Sequence, residues 1–198
     1  LNTRKGDISK GENGVAALPG REGEARGYID EAIAYAHATG TRNVHVMAGR
    51  TDGGDAATKV FCDNLRYAAE TAAKQDITIL IEPLNHRDAP DYHLRTVEQA
   101  ADLISRVGAD NIKIMFDCYH LQIMQGDLYI RAKDFMDQIG HIQFASVPAR
   151  AEPDKCELNY PILLPRFYDA GYQGYIGAEY KPTSTTEDSL GWMAAYRQ

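Results

Sequence analysis

The stretch Ile77-Thr78-Ile79-Leu80-Ile81-Glu82-Pro83-Leu84-Asn85 decides how this chain folds. Ile77, Ile79, Leu80 and Ile81 form a short apolar run rich in β-branched residues, the pattern of a strand packed on both faces. Glu82 closes it, and Pro83, lacking an N–H, cannot continue a central ladder. A carboxylate at a buried strand end costs free energy unless it is paired or binds a metal, which makes Glu82 a functional candidate.

Working outward, the pattern recurs. Asn111 to Phe116 reads as a strand ending at Asp117, His141 to Ala145 as a strand with Gln143 in its middle, and Tyr175 to Ala178 as a strand ending at Glu179. Upstream, Asn43 to Gly49 reads as a strand whose His45 is best taken as a satisfied core histidine. Between the strands lie helical patterns. Arg21 to Thr39 and Ala56 to Lys74 each carry one apolar face. Thr96 and Gln99 fit a capping box ahead of a helix stopped at Gly108. Asp127 is read as the cap of a helix running to Ile139, Pro161 to Ala170 as a helix that Pro165 should kink or delay, and Thr186 to Arg197 as a final helix.

Strand and helix alternate throughout, which predicts a parallel sheet with helices outside it. Glu82, Asp117, Gln143 and Glu179 recur at roughly the 31-residue spacing of one unit of an eight-unit α/β barrel. In such a barrel the C-terminal end of every strand faces one mouth, so the four side chains converge there. A doubly wound open sheet would not aim them at one point. The expected fold is therefore a TIM (β/α)8 barrel, with residues 1–198 as a single partial domain. A whole barrel takes about 250 residues, and the first residue is Leu1, so about two βα units are expected to be missing at the N-terminal side. Inward placement of Asp117 also turns Lys113 inward, a conflict with an apolar interior.

Two glutamates, an aspartate and an amide oxygen suit a hard divalent cation, Mg²⁺ or Mn²⁺. His120, on the expected loop after Asp117, is read as a donor to a substrate oxygen or a metal ligand in preference to a surface histidine. Arg150 can neutralise an anionic substrate or be a solvated loop residue, and both readings stay open. The net charge of −7 argues against a general nucleic-acid partner. No apolar run is long enough to span a membrane. The three cysteines, Cys62, Cys118 and Cys156, suggest no disulfide framework and fit a reducing cytoplasm.

The stretches Ile81-Glu-Pro-Leu-Asn85, Phe116-Asp-Cys-Tyr-His120, Gly140-His-Ile-Gln143, Glu157-Leu-Asn-Tyr-Pro161 and Gly177-Ala-Glu-Tyr-Lys-Pro182 together resemble the hydroxypyruvate isomerase family, one of the xylose-isomerase-like TIM barrels. So do Ala17-Leu-Pro-Gly-Arg-Glu22 and His45-Val-Met-Ala-Gly49. The resemblance implies Glu82 and Glu179 as paired acid/base residues, Glu82, Asp117, Gln143 and Glu179 as the metal site, and His120 and Arg150 as substrate contacts. It implies an intramolecular oxidoreductase interconverting hydroxypyruvate and tartronate semialdehyde through an enediolate. The substrate is then a small hydroxy-carbonyl compound, and a homo-oligomer stays open. A ketose 3-epimerase or sugar isomerase with the same site is the runner-up. An endonuclease IV-like DNA phosphodiesterase would need clustered histidine ligands and a basic groove, and the chain offers neither.

Overall fold

The computed structural model describes residues 1–196. Five parallel strands, β1 (Asn43–His45), β2 (Thr78–Ile81), β3 (Ile112–Asp117), β4 (Ile139–Phe144) and β5 (Ile176–Ala178), pair in the order β1-β2-β3-β4-β5. The order never reverses, so there is no switch point of the kind that defines a doubly wound sheet. The strands form the curled sheet of an α/β barrel over the described residues. Helices α1 (Glu22–Thr39), α2 (Asp55–Ala73), α3 (Val97–Val107), α4 (Cys118–Met124), α5 (Leu128–Asp134) and α6 (Tyr160–Asp169) follow in chain order.

Alternation along each strand sorts the side chains. Ile79, Ile81, Ile112, Ile114, Phe116 and Ile142 are fully buried, and they join the apolar faces of the helices in one core that includes Ile29, Phe61, Leu65, Leu103 and Phe167. Phe116 meets Phe167 of α6 edge-on at 6.1 Å between ring centres. The opposite parity, Leu80 then Glu82, Met115 then Asp117, and His141 then Gln143, faces the barrel interior.

One irregularity sets that parity. Ile114 pairs with Ile139, but Met115 pairs with His141, so Gly140 is an extra residue in β4. Had the register continued without it, Ile142 would stand opposite Asp117. The bulge instead pairs Asp117 with Gln143 and brings both to the same face. Gly140 is required there: a Cβ would lie 2.6 Å from Cβ of Lys113 and 2.8 Å from Cδ2 of Leu80. The same space resolves the Lys113 conflict. Its ammonium sits below the mouth and donates to the Asp137 carbonyl at 2.9 Å.

Several boundaries differ from the sequence reading. β1 stops at His45 because the chain then leaves the sheet, Ala48 bridging antiparallel to Gly14. A Cβ on Gly49 would lie 2.3 Å from the Gly14 carbonyl oxygen, so the two backbones approach closely only as glycines. Asp127 sits at the N-cap of α5 with left-handed φ and no side-chain cap bond, and the helix ends at Asp134 instead of Ile139. A 3-10 turn, Met136–Gln138, leads into β4, which claims Ile139. Pro165 lies inside α6 without delaying its start at Tyr160. The final helix is a 3-10 segment, Asp188–Tyr196, whose Trp192 packs edge-on against Phe144 at 5.6 Å. Its expected end at Arg197 lies outside the described residues. At α3 the Thr96 hydroxyl accepts from the Gln99 N–H as expected, but the Gln99 side chain caps the Arg95 N–H instead of that of Thr96.

Candidate active site

Glu82 follows β2 directly, and its side chain is nearly sealed from solvent, the residue being 6% exposed. Pro83 breaks the ladder there. Oε1 has no hydrogen-bond partner, and Oε2 lies 3.6 Å from Nδ1 of His45. Burial, reinforced by the charges of Asp117 and Glu179, holds its proton affinity well above the ordinary carboxylate range.

Asp117 ends β3 and starts α4. Its Oδ1 accepts the Tyr119 N–H at 2.8 Å, capping that helix, while Oδ2 has no hydrogen bond and lies 3.7 Å from both Arg150 Nη2 and His120 Nε2. Burial pushes its pKa up to about 7, against the pull of Arg150 and the Tyr119 N–H. The capping explains α4, where the sequence predicts a loop. With Asp117 as N-cap and Cys118 and Leu121 buried, the segment winds into a helix that carries His120 inward.

His120 is 2% exposed. Its Nδ1 accepts the Asn85 backbone N–H at 3.0 Å. An acceptor nitrogen carries no proton, so the neutral ring is the Nε2–H tautomer. Burial and the nearby Arg150 hold its pKa down to about 3. Of the two roles open for His120, this favours a neutral hydrogen-bond donor over a metal ligand through Nε2. Glu82, Asp117 and His120 nevertheless form a compact group, one ligand-type atom from each lying within 4.8 Å of the others.

Gln143 pairs with Asp117 in the sheet, on the same face, and has a buried, unpartnered Oε1. Glu179, just past β5, has its N–H on the Phe144 carbonyl and its carboxylate on Arg150 Nη2 at 2.7 Å, with half its side chain exposed. Arg150 sits at a left-handed φ of 51° on the loop after β4, anchored by its N–H to Ser146 O and by its carbonyl to the Lys181 N–H. Its guanidinium stacks 5.0 Å over the Tyr119 ring and lies 3.9 Å from Asp88. It is thus an ordered residue of the mouth and not a solvated loop side chain.

Two residues take parts in the site that the sequence does not assign them. His45 is buried as expected but unsatisfied, with both ring nitrogens lacking partners, and it lines the cavity beside Glu82. Burial holds its pKa down to about 3. Asp88 accepts from the Tyr119 hydroxyl at 2.8 Å and from Asn85 at 3.3 Å, and faces Arg150. His45 ends β1 and Asp88 sits in a loop, and only the packing around each gives it these surroundings. Glu82, Glu179, His45, His120, Asp88 and Arg150 line a cavity of about 490 Å³, Lys5 among its other lining residues, while Asp117 and Gln143 are not part of that lining.

The donor set can be tested against a cation. Glu82 Oε1, Asp117 Oδ2 and Gln143 Oε1 are three of the few buried side-chain oxygens without hydrogen-bond partners, and all belong to this mouth. Buried oxygens without donors are costly, and a hard divalent cation satisfies such a set.

A family model described as "Xylose isomerase-like TIM barrel" matches residues 10–196. The chain belongs to that family. Among curated relatives, a "2-oxo-tetronate isomerase" from Cupriavidus necator is 46% identical over 99% of this chain and 76% of its own length. A "Hydroxypyruvate isomerase" from Escherichia coli is 43% identical over 99% of this chain and 77% of its own. Among solved structures, one titled an AP endonuclease, family 2, from Brucella melitensis superposes with a TM-score of 0.95 at 44% identity, covering all of this chain and 77% of that one. The chain sits with the hydroxypyruvate and 2-oxo-tetronate isomerases of the family and is an isomerase of that kind. Among the described residues no helix is long and apolar enough to cross a membrane.

Proposed function

We propose that the chain, as a single domain over residues 1–198, catalyses a 1,2-proton shift on a small 2-oxo acid bearing a neighbouring hydroxyl, with hydroxypyruvate and tartronate semialdehyde as the interconverted pair. The observation that carries this is the convergence of two strand-end glutamates, Glu82 and Glu179, on one mouth with Asp117 between them, each carboxylate in a different environment.

In this reading one glutamate takes the proton from the hydroxyl-bearing carbon and the other delivers one to the former carbonyl carbon. The hydroxyl proton passes from one oxygen to the other, through an enediolate, and no electrons leave the substrate. Glu82, Asp117, Gln143 and Glu179 would hold Mg²⁺ or Mn²⁺, which would polarise the carbonyl as a Lewis acid. His120, with its proton on Nε2, donates to a substrate oxygen, and Arg150 keeps Glu179 oriented and adds positive charge at the mouth. The reduced cysteines fit a cytoplasmic enzyme.

The relative named 2-oxo-tetronate isomerase favours a second reading, the same chemistry on a four-carbon oxo acid. A solvent-deuterium exchange assay by NMR on hydroxypyruvate, four-carbon oxo acids and ketoses tests both. The expected result is deuterium at the carbon next to the carbonyl of an oxo acid. Exchange into none of them, with Mg²⁺ or Mn²⁺ supplied, overturns the proposal.

A further inference from the structure

An acid substrate needs a cationic partner for its carboxylate, and Arg150 is already committed. Its guanidinium is engaged by Glu179 at 2.7 Å, lies within 4.0 Å of Asp117 and Asp88, and stacks on Tyr119. The opposite wall of the cavity offers a different arrangement. The segment Leu1 to Thr3 runs parallel to β1: Asn2 bridges to His45, the His45 N–H donates to Leu1 O at 2.7 Å, and the Thr3 N–H donates to His45 O at 2.9 Å. A parallel neighbour ends on the same side as β1, so Lys5 emerges at the mouth, and it lines the same cavity as His45 and Glu82. Among the described residues Lys5 has neither a salt bridge nor a side-chain hydrogen bond. Its charge acts on both His45 and Glu82, lowering the affinity of each for a proton. His45 supplies the second element, a buried imidazole with both nitrogens free of partners.

We propose that Lys5 and His45 form the subsite for the substrate carboxylate, which makes the mouth selective for 2-oxo acids over neutral ketoses. This rests on the isomerase reading above. The placement follows from the chemistry: in a 2-oxo acid the carboxylate is bonded to the carbonyl carbon, the carbon that receives the proton, so its binding group must adjoin a proton carrier. His45 Nδ1 lies 3.6 Å from Glu82 Oε2. The imidazole donates one N–H to a carboxylate oxygen, and the ammonium on its flexible stem supplies the countercharge.

The test compares hydroxypyruvate with dihydroxyacetone, in which a CH₂OH group replaces the carboxylate. Lys5 is exposed, so its replacement leaves the core untouched. In Lys5→Met the KM for hydroxypyruvate should rise about tenfold and the acid-to-neutral ratio of kcat/KM should fall about tenfold, with kcat for the acid much less changed. Lys5→Arg should recover most of that ratio. An unchanged ratio in Lys5→Met overturns the subsite. If the unaltered chain turns over neither compound, the isomerase reading fails and the subsite is judged separately, by NMR titration with tartronate, which cannot isomerise. Weaker tartronate binding by Lys5→Met than by the unaltered chain supports the subsite, and equal binding refutes it.

Discussion

The two ends of the site are built from the same local sequence pattern and finish in different physical states. Glu82 and Glu179 each close a short apolar strand, yet Glu82 is sealed beside His45 with an oxygen left unpartnered, while Glu179 is half exposed and ion-paired with Arg150. The difference arises from the neighbours. Glu82 stands beside His45 of β1 and near Asp117 of β3, whereas Glu179 meets Arg150 from the loop after β4. A motif thus fixes which residue stands at the mouth, and the strands and loops beside it fix the charge state that residue can hold.

The strongest way to break the comparison is to remove each carboxylate in turn. Glu82→Gln and Glu179→Gln should each lower turnover by about 10²–10⁴-fold, the usual contribution of general acid–base catalysis. Mn²⁺ affinity, measured by calorimetry on the same preparations, should fall less because an oxygen ligand remains. Near-normal turnover in either variant with metal bound would end the two-carboxylate mechanism and make His120 the next proton carrier to test.

Arg150→Ala separates the exposed end from the sealed one. Because Arg150 orients Glu179 while Lys5 and His45 hold the carboxylate, its loss should lower kcat about 10- to 100-fold with KM for hydroxypyruvate less changed. A rise in KM with kcat unchanged would instead make Arg150 the partner of the substrate carboxylate.

Gly140 is the seam between the two ends. Gly140→Ala inserts a methyl against Lys113 and Leu80 and should cost about 1–3 kcal/mol in urea-denaturation stability. A neutral result would mean the bulge relaxes without strain.

The smallest effect is a difference in pH dependence. Glu82 binds its proton more tightly folded than unfolded, so above the unfolded carboxylate pKa, about 4.3, the folded state holds more protons. Its share of stability is therefore present at low pH and is lost as pH rises toward its raised folded value. The slope reaches at most about 1.4 kcal/mol per pH unit for one proton. In chelator-treated protein Glu82→Gln should flatten this decline, and Glu179→Gln, which removes only one of the charges that raise Glu82, should flatten it less. Equal flattening would erase the distinction between the ends.

Much of this was legible in the chain. The apolar runs before Glu82, Asp117 and Glu179, the glycine stops at Gly40 and Gly108, and the Thr96 cap are local patterns, and they fold as local physics dictates. α4 was not legible, because Asp117 serves both as strand end and as helix cap, and only its second role starts the helix. The early end of α5 was hidden because Ile139 suits a helix and a strand equally, and pairing with Ile114 decides for the strand.

By itself the sequence determined the alternation of strands and helices, the barrel class and the acidic residues that close β2, β3 and β5. Each of these follows from the period and termini of short segments. The tertiary structure decided the rest. The inward aim of Gln143 depends on a bulge against β3. The unsatisfied state of His45 depends on what surrounds it, and the anchoring of Arg150 depends on acids contributed by three other segments. Burial and charge proximity are sums over neighbours distant in the chain, so the unequal states of Glu82 and Glu179 exist only once the strands and loops are assembled.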